Sequence, residues 1–306
     1  MSVTLLGPQR RPTVDQVVRA VDPDVPLATV TAGWQEREPD DAELDALLGG
    51  RSINLGLYAR LLDIQERDRE LAIAELDHRT LLDELRQLHL VQLESALGAL
   101  HALAQRSGER PQAIEDSLAD AEAVVRLIDE RHIERVHAAN EDFAHTYSLE
   151  ERPAVVEHRG DVLGILEQAG GLVIAGGHVG VLLRALHFFR VAALVPPMVI
   201  AWSAGAMALT EKVVLFHDRT PQGPTPAEIF DRGMGVIRGV VVLPDARRRL
   251  IVDDPIRMSA LARRFAPAEC VILDPGVRLD LPPAGGLPPG ARVIDPEGRI
   301  VALEAA

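Results

Sequence analysis

The 306-residue chain contains one cysteine, Cys270, and one lysine, Lys212. A lone thiol excludes a disulfide framework and any zinc site built on cysteine. Positive charge is almost wholly arginine, a bias that says little about function. Aromatic residues make up only 3% of the chain. No apolar run reaches the ~18 residues of a membrane span. The longest, residues 191–200, carries Pro196 and Pro197. The opening MSVTLLGPQRR has neither the basic start nor the apolar stretch of a secretory signal. A cytoplasmic protein with no membrane partner is expected. Lysine and arginine number 32 against 46 acids, a net charge of −14. That balance argues against a nucleic-acid or anionic-membrane surface, both of which need clustered positive charge.

What is present is 47% hydrophobic and 25% charged residues, enough for a real core in one large domain or two. The charge is unevenly placed. Residues 41–150 hold 23 Asp and Glu against 11 Arg, a net of −12, and the rest of the chain is almost balanced. Glycine and proline are scarce between residues 57 and 104, where Leu57, Leu61, Ile64 and Leu71, then Leu81, Leu85 and Leu88, follow helical spacing. A break at residues 106–111 precedes a second helical stretch to about His145. The reading is a pair of long, acidic, antiparallel helices, either packed on the main domain or making a dimer contact. A docking arm for another protein is the alternative. A homo-oligomer through these helices is expected from their apolar surface. His132 and His137 stand at i, i+5 and diverge around the helix, so no metal site is expected.

On either side of this stretch the pattern is α/β. Residues 3–6, 27–31, 171–175, 198–201, 213–216, 236–243 and 270–273 are strand candidates, and residues 13–21, 161–169, 179–189 and 255–265 have helical spacing. Short apolar strands joined through helices predict a mainly parallel sheet. The proline-rich C-terminal stretch from Pro275 reads as turns and short edge strands.

The most informative segment is PPMVIAWSAGAMAL, residues 196–209. A buried strand runs straight into Ser203 among small residues, and a helix follows. This is what a nucleophile elbow needs: a sharp turn that aims the serine outward, with backbone N–H groups of the helix start beside it. Ala201 stands where the general elbow has glycine, and Gly205 fits. A plain strand–loop–helix junction with a capping serine would show the same residues. Upstream, LVIAGGHVGVLL places Gly176-Gly177 at the end of the preceding strand, about 5 Å away if the two strands are neighbours. That loop can supply a second N–H to an oxyanion at Ser203.

GGH (176–178), WSAGAM (202–207), FHD (216–218) and GMGVIRGVVVLPDARRRL (233–250) together resemble the dipeptidase E and cyanophycinase group of serine peptidases, within the class I glutamine amidotransferase-like fold. The resemblance covers residues 154–274 well, the first forty loosely and residues 41–150 not at all. It implies a flavodoxin-like, mainly parallel α/β sheet with helices on both faces, formed by residues 1–40 and 151–306, with 41–150 as a helical insertion. It also implies Ser203 as nucleophile, the amides of Gly177 and Ala204 as oxyanion hole, and Asp218 as the acid of a triad. Where the family has its catalytic histidine, this chain has Asp245.

An aspartate is a poor base for a serine hydroxyl. His178, His187 and His217 are the nearby substitutes, though strand alternation turns His217 away from Asp218. Gly176, His178, Trp202 and Arg247 are candidate substrate-binding residues. Trp202 serves equally as core, and Arg247–Arg249 equally as a solvated helix start. Gly176-Gly177 lacks the spacing of a phosphate loop or dinucleotide fingerprint, so no cofactor is expected. The expected activity is serine hydrolysis of a small peptide or isopeptide substrate. The alternative is a catalytically degenerate relative that binds a ligand or partner.

Overall fold

A computed structural model describes residues 1–107, 110–220 and 225–304. Gly108 and Glu109, in the expected break between the long helices, lie outside the described residues. The first part of the chain forms β1 (Ser2–Leu6), α1 (Val14–Val18), β2 (Leu27–Val30), α2 (Ala42–Leu47) and β3 (Ser52–Asn54). Four helices follow, α3 (Leu57–Arg67), α4 (Arg69–Ala104), α5 (Pro111–Thr146) and α6 (Pro153–Gln168). Then come β4 (Gly171–Ile174), α7 (Val179–Phe188), β5 (Met198–Trp202), α8 (Ala204–Ala208), β6 (Lys212–Leu215) and β7 (Glu228–Arg232). The remainder is β8 (Val240–Pro244), α9 (Ala246–Arg249), α10 (Pro255–Phe265), β9 (Glu269–Leu273), β10 (Arg278–Leu281), β11 (Arg292–Ile294) and β12 (Ile300–Ala302).

The central sheet has the order β10-β1-β5-β4-β2-β3, parallel throughout except for β10 at one edge. Strand alternation sorts its side chains onto two faces. Val3, Leu5, Ala28, Val30, Leu172, Ile174, Val199 and Ala201 face one core, which includes residues of α3, α6 and α7. Leu6, Leu27, Val173, Ala175, Ile200 and Trp202 face the other, with α1 and α2. Helices therefore cover both faces. The expectation of one sheet is corrected: β8 and β9 begin a separate four-stranded sheet, β12-β11-β9-β8, and β6 pairs with β7 in an antiparallel ribbon. Sequence reading missed β7 because its charged residues, Glu228, Asp231 and Arg232, obscure a strand pattern.

Residues 41–150 are not wholly an insertion. Ser52–Asn54 adds β3 to the edge of the central sheet beside β2, and Leu57, Leu61 and Ile64 of α3 belong to the main core. The arm proper is α4 and α5, each 36 residues, or about 54 Å at 1.5 Å per residue. A helix running on from Leu57 is interrupted at Asp68, which leaves helical geometry (φ −130°, ψ 85°) and caps α4 by accepting the N–H of Leu71. Arg152, just before α6, donates to both carboxylate oxygens of Asp68 at 2.9 and 2.8 Å, so the two stems of the arm are clasped together. Among the described residues no helix is long and apolar enough to cross a membrane.

Candidate active site at Ser203

Ser203 joins β5 to α8 with φ 51° and ψ −121°. A non-glycine residue at that φ is strained, at a cost on the order of 1–3 kcal/mol, and such residues gather at functional sites. The turn is possible because three glycines let backbone lie against backbone. A Cβ on Gly205 would stand 2.3 Å from the carbonyl oxygen of Ile174, and one on Gly176 would stand 2.8 Å from Ser203 Cβ. Ala201, where the elbow pattern has glycine, is fully buried in the main core. Gly177 has φ +134°, and a Cβ there would meet the Gly33 carbonyl oxygen at 2.4 Å. That same carbonyl accepts the N–H of His178 at 2.7 Å. Gly33, two residues past the strand expected over 27–31, is thus part of the site.

Ser203 opens into a cleft of about 710 Å³ shared with Gly176, Gly177, Trp202, Ala204 and Asp245. Arg10, Trp34 and Arg249 also line it. Ala204 opens α8, where backbone N–H groups lack intrahelical acceptors. Trp202 belongs to the core with α1 and α2 and also borders the cleft. Arg10 was missed. It follows β1 in a loop held by Gln9, whose Oε1 accepts the N–H groups of Thr13 and Val14 at 2.7 and 3.1 Å. The carboxyl ends of parallel strands gather at one rim, and that rule could have found it.

Asp245 caps β8 in the left-handed region, φ 57°, and is buried. Arg10 Nη2 reaches its Oδ2 at 3.0 Å, and Arg248 Nη1 stands at 3.7 Å. The other candidates are drawn elsewhere. Asp218 is buried, but Oδ2 accepts the N–H of Ile251 at 3.0 Å and Oδ1 is held by Arg257. It borders a groove beneath the arm, not the Ser203 cleft. His217 is exposed, and its carbonyl accepts the Thr225 hydroxyl. His178 turns back on its own helix, where Nδ1 accepts the N–H of Val181 at 3.2 Å. That bond leaves the proton on Nε2. His187 faces Asp231 at 3.8 Å, a carboxyl whose pKa burial raises. Arg247 is tied to Asp274 at 3.3 Å in a neighbouring recess. The expected Ser203–histidine–Asp218 triad is therefore not assembled: His178 is held by Val181, His187 faces Asp231, His217 is exposed and Arg257 holds Asp218, and none of them borders the cleft.

Among the described residues no histidine lines the cleft, and no group of three or more His, Cys, Asp or Glu side chains could hold a metal ion. The cleft thus brings together Ser203, Gly177, Ala204 and the Arg10–Asp245 pair. No known family model matches the chain, and no curated protein matches it.

Proposed function

We propose that the Ser203 cleft binds a small peptide-like ligand through a carbonyl or carboxylate oxygen, as a peptidase centre that has lost the base needed for turnover. The observation that carries this reading is Asp245 held by Arg10 where the family resemblance calls for histidine, with no histidine among the cleft residues. A serine hydroxyl without a base is a weak nucleophile, whereas backbone donors at Gly177 and Ala204 still suit an oxygen ligand. Descent from the dipeptidase E and cyanophycinase group is part of the proposal. Support for a flavodoxin-like origin lies in the run β3-β2-β4-β5, which matches the first four places of the 2-1-3-4-5 order, while β1 stands next to β5. Self-association through the arm also belongs to this reading, since Ile73, Leu76, Leu88 and Val91 of α4 are exposed.

One observation favours the second reading, an active serine hydrolase: the strain at Ser203, which a pure binding site has little reason to keep. A fluorophosphonate probe separates the two. Across about pH 6 to 9, the range in which a histidine base operates, wild-type Ser203 is expected to stay unlabelled while calorimetry detects dipeptide binding. Asp245→His is expected to gain labelling. Labelling of the wild type, abolished by Ser203→Ala, would overturn the binding reading in favour of the enzyme.

A further inference from the structure

The arm meets the core through a buried polar cluster that the Ser203 site does not use. His89 of α4 stacks on His132 of α5 with ring centroids 4.1 Å apart and planes 12° from parallel. Both are almost fully buried, at 2% and 3% exposure. Neither ring nitrogen of His89, nor Nε2 of His132, has a hydrogen-bond partner among the described residues. The other nitrogen of His132 meets the backbone of Phe230 in β7.

The charged groups around the pair leave no room for another cation. Asp129 of α5 lies 3.6 Å from His89 Nε2, but both its oxygens are taken by Arg264 of α10 at 2.7 Å each. Arg135 of α5 adds positive potential at His132. Arg86 of α4 is neutralised by Glu228 of β7 at 2.6 Å. Cys270 of β9, within the electrostatic reach of Arg264, is a buried neutral thiol whose pKa burial pushes up to about 12. A proton on His89 would sit against a second imidazole and the Arg264 guanidinium, and one on His132 would face His89 and Arg135, with Asp129, which favours it, already committed to Arg264.

We propose that the His89–His132 stack is an acid-sensitive latch that holds the distal arm on α10 and β7, and that protonation of either ring releases it. Release widens the groove of about 1100 Å³ between the arm and α10, which Leu97, Leu118, Met258 and Asp218 line. The stems stay fixed by the Asp68–Arg152 clasp and by the ion pair of Glu75 in α4 with Arg184 in α7. Burial, reinforced at His89 by Arg264 and at His132 by His89, lowers both pKa values from 6.5 to about 4. Groups with a lowered folded value bind protons more readily once exposed. Docking is therefore undisturbed above the free value of 6.5, weakens as pH falls below it, and has lost its full increment near 4.

The test follows the radius of gyration by small-angle scattering from pH 7 to 4, in the wild type and in His89→Phe/His132→Phe, which keeps two stacked rings and removes the titration. The wild type is expected to expand with a midpoint between about 4 and 6.5, and the variant to stay docked at least about one pH unit lower. Equal midpoints in the two proteins would overturn the latch. Histidine NMR of the wild type decides the matter if the variant does not fold. Two rings titrating below the others, in step with the expansion, support the latch, and titration of all histidines near 6.5 without expansion refutes it.

Discussion

Two buried aspartates, each met by an arginine, show how differently one molecule uses the same pair. At the arm junction Asp129 and Arg264 are both buried and share two bonds of 2.7 Å. At the Ser203 rim Asp245 is buried but Arg10 is 58% exposed and makes a single contact of 3.0 Å. A doubly buried pair has no water to fall back on, so either partner is costly to remove. The rim pair can exchange its partner with solvent or with a ligand. The first arrangement fixes architecture, and the second leaves Arg10 exposed beside the Ser203 cleft.

That contrast can be broken by mutation. Asp129→Ala strands Arg264 and is expected to cost about 3–5 kcal/mol in denaturant unfolding. A loss below about 1 kcal/mol would place the junction with ordinary surface pairs. Ser203→Gly relieves the left-handed backbone and is expected to stabilise by about 1 kcal/mol, part of the strain being offset by glycine's larger unfolded-state entropy. A lower melting temperature would show that the turn is not strained in solution. Arg10→Ala is expected to cost only about 0.2–1 kcal/mol in stability. Its larger consequence would be altered dipeptide affinity, measured by calorimetry.

The sequence disclosed the alternation of helices and strands and the serine turn, because each leaves a local signature: period, small residues, a strand abutting a helix. It disclosed less where partners come from far along the chain. Asp218 occupies the right place after β6, yet its orientation is set by Arg257, 39 residues away. Gly33 belongs to the site only because β2 and β4 are neighbours, a fact of pairing and not of spacing. The charged face of β7 concealed a strand, and the acidic stretch concealed β3, whose three residues are too few to show a period. Likewise the i, i+5 spacing of His132 and His137 says nothing of His89, which the antiparallel packing of α4 and α5 stacks on His132.

The clasp between Asp68 and Arg152 bears on how the chain assembles. The arm departs and returns at one point, so from the core's side two helices of 36 residues each behave as a short loop. Closing a loop costs entropy that grows only with the logarithm of its length, and structure formed inside the loop shortens it further. An arm that zips as a local hairpin brings α3 and α6 together instead of holding them apart. The closure cost to the sheet that carries Ser203 is therefore small whatever the arm's length, which is set instead by its seat on α10, where Asp129 meets Arg264.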